Sequence, residues 1–63
     1  MNKGDWINTP RFLKVKIAEV LTRAEAYDAG YTEPTHYRDD PDYDIYGKNS
    51  GEYRMVFAAV RKV

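Results

Sequence analysis

The stretch Arg11–Gly30, RFLKVKIAEVLTRAEAYDAG, has two readings, and the choice between them decides the fold. As one helix, Thr9 is the N-cap, Pro10 the first helical residue and Gly30 the stop. Leu13, Ile17, Val20, Ala24 and Tyr27 then form an apolar stripe. As a strand followed by a short helix, Leu13, Val15 and Ile17 alternate with Lys14 and Lys16, and Thr22-Arg-Ala-Glu25 supplies a capping box. In that box the Thr22 hydroxyl accepts from the Glu25 amide, and the Glu25 carboxylate accepts from the Thr22 amide. Ala24, Ala26, Tyr27 and Ala29 carry the helix to Gly30. Two considerations favour the second reading. Val15 and Ile17 are β-branched and flanked by lysines, which suits a half-buried pleat, and a capping box in mid-helix would serve amides that already have partners.

The rest of the chain is read outward from this segment. Residues 31–42 contain Pro34, Pro41 and three consecutive charges, and are expected to be irregular. Tyr43-Asp-Ile-Tyr46 reads as a short strand with Tyr43 and Ile45 on one face. Gly47-Lys-Asn-Ser-Gly51 reads as a hairpin loop, and Tyr53-Arg-Met-Val-Phe-Ala-Ala-Val60 as the most buried strand. The expected fold is α+β: one domain spanning residues 1–63, in the order β-α-β-β. Its three-stranded sheet has order 1-3-2, with the last strand central and one short helix on a face. Gly4-Asp-Trp-Ile7 is a possible additional edge strand, with Trp6 capping the core. A small, partly open β-barrel is the competing architecture.

Sixty-three residues bury only about 60 % of the surface of the unfolded chain, and with no cysteine neither disulfides nor thiolate metal sites reinforce so small a core. Six tyrosines, two phenylalanines and one tryptophan supply the apolar area instead. The core is expected to hold Tyr27, Tyr31, Tyr43 and Tyr53, leaving Tyr37 and Tyr46 exposed. No apolar run is long enough to cross a bilayer and no signal-peptide core is evident, so a cytoplasmic protein is expected. Ten basic and ten acidic side chains cancel, which disfavours non-specific binding through net charge but leaves room for a basic face.

Catalytic and metal chemistry find little support. His36 is the only histidine and lies near Glu33, Asp39 and Asp40, but a zinc site there needs three carboxylates around one imidazole. Asp40, Asp42 and Asp44 have the spacing that opens an EF-hand loop. Ile45 and Gly51 stand where that loop requires glycine and a bidentate glutamate, so the match fails. Ser50 lacks a nucleophile context, and Gly4, Gly30, Gly47 and Gly51 form no phosphate loop. The reading is therefore a non-enzymatic domain without cofactor or metal. It is expected to bind a protein through the Tyr/Asp-rich loop 31–44 and a sheet edge. Tyr37 and Tyr46 act as anchors, and Asp39, Asp40 and Asp42 steer a basic partner. The alternative is nucleic-acid binding through Lys14, Lys16 and Arg54. Homodimerisation through an open strand edge is a further expectation.

The phrases Gly4-Asp-Trp-Ile-Asn-Thr-Pro-Arg-Phe12, Ala26-Tyr-Asp-Ala-Gly-Tyr-Thr-Glu-Pro-Thr-His-Tyr37 and Met55-Val-Phe-Ala-Ala-Val60 resemble a family of small uncharacterised bacterial proteins carried on conjugative or other mobile elements. The resemblance implies a setting in which small accessory or inhibitory proteins are common. It brings no activity and no functional residues.

Overall fold

The computed structural model describes residues 1–62. Arg11–Gly30 divides into strand and helix. Val15 and Ile17 are buried while Lys14 and Lys16 are exposed, as alternation on a half-covered sheet requires. This strand, β2 (Leu13–Leu21), runs four residues past Ile17 because a bulge between Ile17 and Glu19 resets its register. The extra residue turns both Ile17 and Val20 toward the same core and frees Leu21 to face the other side. Strict period-two alternation cannot anticipate that change. Leu13, expected on the buried face, is instead 76 % exposed with φ +62°.

Helix α1 (Arg23–Ala29) begins with the expected box: the Glu25 amide donates to Thr22 Oγ1 at 3.2 Å, and the Thr22 amide to Glu25 Oε1 at 2.9 Å. It ends at Gly30, whose φ of 86° is the left-handed geometry that a side chain would strain. The Gly30 and Tyr31 amides then return to the Tyr27 and Ala26 carbonyls, both at 3.1 Å, and satisfy the helix terminus. Lys48 Nζ donates to the Ala29 carbonyl at 2.9 Å, placing a cation at the negative end of the helix.

The expected three-stranded sheet of order 1-3-2 is overturned. The sheet has five strands in the order β1-β2-β5-β4-β3 and curls into a half-barrel. β1 (Trp6–Thr9) pairs antiparallel with β2 and covers the edge expected to be open for dimerisation. At the other edge, β3 (Glu33–Pro34) pairs with β4 (Tyr43–Asn49) inside the segment expected to be irregular. Pro34 is tolerated there because an edge strand needs no donor on its outer side. β5 (Met55–Arg61) runs parallel to β2 and antiparallel to β4. Arg11, in the β1–β2 turn, meets Glu33 at 3.2 Å and donates to the Pro34 carbonyl at 3.3 Å, so opposite ends of the strand order touch across the curl.

The hairpin loop also starts later than expected. Gly47 lies within β4, and the turn is closed by the Ser50 amide donating to the Arg54 carbonyl at 2.9 Å. Gly47 is in the strand for a packing reason. A Cβ there would stand 2.9 Å from both Met55 Cε and Phe57 Cε1. The Phe57 ring thus packs on bare backbone and reaches Phe12, with ring centroids 5.2 Å apart.

The core has two parts, one on each side of β5. Val15, Ile17, Ile45, Phe57 and Ala59 fill the concave side, while Ala26, Tyr31, Ala58 and Val60 pack beneath the helix. Thr35 is buried without becoming an unsatisfied group, because its hydroxyl and its amide both donate to the Ile45 carbonyl, at 3.0 and 3.1 Å.

Candidate functional site

β2 and β5 pair only from Ile17 and Phe57 onward. N-terminal to those residues each strand stays with its own hairpin partner, β2 with β1 and β5 with β4. The two hairpins therefore splay, and an open cleft of about 980 Å³ lies between them, within the range of ligand-binding pockets. Phe12, Phe57, Val15 and Met55 are among its apolar lining.

The walls carry the chemistry. Lys14 and Lys16 enter from β2 because Val15 and Ile17 occupy the buried alternate positions, and Lys3 joins them from the N-terminal turn. Trp6 stands opposite Lys16 in the β1–β2 register and lines the same cleft. It is 61 % exposed and does not cap the core as expected, because Ile7 and Thr9 take the inward positions of β1. From the other hairpin comes Tyr53, fully exposed and held at φ +58°. That backbone region costs an L-residue about 1 to 2 kcal/mol. Tyr53 was expected to complete the core. Among the described residues the cleft lining holds three lysines and no carboxylate.

The residues proposed from the sequence are dispersed. Lys14 and Lys16 share the cleft, but Arg54, expected beside them, sits exposed in the turn and does not line it. Tyr37 and Tyr46, expected as exposed anchors, are half-buried. Tyr37 packs on the concave core and Tyr46 on the helix-side core. Burial, with the charges of Asp39 and Asp40 behind it, raises the Tyr37 phenol above its ordinary range. Asp40 turns inward on its own loop, its Oδ1 accepting from the Asp42 amide at 2.9 Å, while Asp39 and Asp42 remain exposed. His36 is exposed at φ +60°. No group of three histidine, cysteine or acidic side chains converges among the described residues. Tyr27, also expected in the core, is 84 % exposed on the helix.

Sequence reasoning missed Trp6, Lys3 and Tyr53 as site residues. Trp6 had a local signal: Trp6-Ile-Asn-Thr9 alternates, so whichever face takes Ile7 excludes the indole. Tyr53 had none, because its position follows from where the hairpin turns. Among the described residues no helix is long and apolar enough to cross a membrane. Comparison with known proteins gives no match to a family model, a curated protein or a solved structure, so nothing there bears on the resemblance to mobile-element proteins.

Proposed function

We propose that the protein is a non-catalytic nucleic-acid-binding accessory module, its ligand held in the cleft between the two hairpins. The observation that carries this reading is the segregation of charge. In a chain with equal numbers of acidic and basic groups, Lys3, Lys14 and Lys16 line one trough with no carboxylate among its described residues. Such a cluster of cations attracts a polyanion and holds phosphates, while the apolar lining takes less polar parts of the ligand. Among the described residues the cleft lining holds no histidine, carboxylate, serine or threonine beside the lysines, which favours binding over chemistry. The protein-partner reading through loop 31–44 has weaker support, since half-burial takes the Tyr37 and Tyr46 rings out of the anchor role.

The test is binding of a fluorescently labelled oligonucleotide followed by polarisation, with polyglutamate and heparin as competing anions. Lys14→Gln combined with Lys16→Gln should weaken binding at least about tenfold, as loss of two phosphate contacts implies, with the thermal midpoint unchanged. Unchanged affinity would sink the proposal. Polyglutamate displacing the oligonucleotide at equal charge would redirect it toward an acidic protein.

A further inference from the structure

The geometry points to a single-stranded nucleic acid as the ligand, its bases stacking on Trp6 and Tyr53; this rests on the nucleic-acid reading of the cleft. Two independent features carry it. The first is placement. The only tryptophan of the chain and a fully exposed tyrosine line the same cleft from different hairpins, with lysines beside them. Rings near cations are the elements with which single-strand binders hold stacked bases and track phosphates. Paired bases in a duplex hide their faces from such rings, so the aromatic walls select an unpaired strand.

The second feature is strain. Tyr53 occupies a left-handed backbone position although glycine or asparagine suits that conformation better. Its side chain repays none of this through packing, being fully exposed. Leu13 and His36 share this backbone geometry outside the cleft, and of the three only Tyr53 presents an aromatic ring to it. Strain of this kind concentrates at functional positions.

Tyr53→Asn separates the two roles. It relieves the backbone and removes the ring, so the thermal midpoint should hold or rise while affinity for an oligothymidylate falls about thirtyfold, the middle of the range for one stacked base. Trp6, as the sole tryptophan, reports directly. The oligothymidylate should quench its fluorescence, and a duplex of the same length should bind more weakly without quenching. Tyr27→Asn, at an exposed tyrosine outside the cleft, should change neither affinity nor quenching. If heparin, duplex and oligothymidylate bind alike and none quenches Trp6, the stacking inference fails while a polyanion cleft stands. If no nucleic acid binds, both fall. A lowered midpoint for Tyr53→Asn, or an equal loss from Tyr27→Asn, also overturns the inference.

Discussion

Tyr31 joins the helix-side core to the sheet at a single residue. Its ring packs among Ala26, Ala58 and Val60, its hydroxyl donates to Glu19 Oε2 at 2.8 Å, and the Lys48 ammonium lies 4.6 Å from the ring centroid. Burial first, and the Glu19 carboxylate second, push the phenol up to about 12. The sign follows from which state loses the proton first. An unfolded tyrosine ionises near pH 10 while the native one stays neutral, so the stability held below pH 10 is lost as pH rises toward 12. A two-unit shift corresponds to about 2.7 kcal/mol at most, and solvent around the part-buried hydroxyl reduces the loss to about 1 to 2 kcal/mol across that window. Urea midpoints of the wild type and Tyr31→Phe, measured from pH 9 to 12, should converge as the tyrosine loses its advantage. Parallel curves would show that Tyr31 is not the titrating group. A buried tyrosine at position 31 was legible from the glycine-ended helix before it. Its partner was not, because Glu19 reaches the helix side only through the bulge in β2.

At the scale of elements, α1 is too short to be stable alone and depends on its ends. The capping box holds the Glu25 carboxyl below its usual range, chiefly through the Thr22 amide and then the Thr22 hydroxyl. A depressed carboxyl contributes stability that is complete above its unfolded value near 4.5 and is lost as pH falls through the lower native value. Glu25→Gln should therefore lower the thermal midpoint slightly at pH 7, and the difference from wild type should close as pH falls from 4.5 through that lower native value. A difference that persists in acid would mean the charge plays no part. These caps were readable from Thr22, Glu25 and Gly30 because they are contacts between near neighbours. β3 was unreadable for the opposite reason. A two-residue strand ending in proline has no propensity of its own and exists only because β4 offers an edge. The same holds for the late hairpin, since Gly47 resembles a turn residue until the Phe57 ring is placed over it.

For the whole molecule, net charge misleads. Ten positive and ten negative groups sum to zero, yet three lysines collect in one cleft and Asp39 and Asp42 stand exposed on a loop that does not line it. If each cleft lysine neutralises one phosphate of a single strand, log affinity should fall with log salt at a slope of about −2, from roughly −0.7 per contact. Titrations between 50 mM and 300 mM salt check this, and a flat line would assign the affinity to apolar contact alone. The lysine pair was legible in the alternation of Lys14 and Lys16. The cleft was not, because it arises where two hairpins separate and neither hairpin encodes the angle between them. That separation also bears on how the chain assembles. β2 and β5, whose register begins at Ile17 and Phe57, are the seam that unites the two halves, and they are brought together only after most of the chain has been looped. Local turns on either side form early and cheaply, while the seam waits for a long, entropically expensive closure. Folding should accordingly run in milliseconds or slower, and the mouth of the cleft, at the unzipped end of the seam, should be the first place where the native protein breathes.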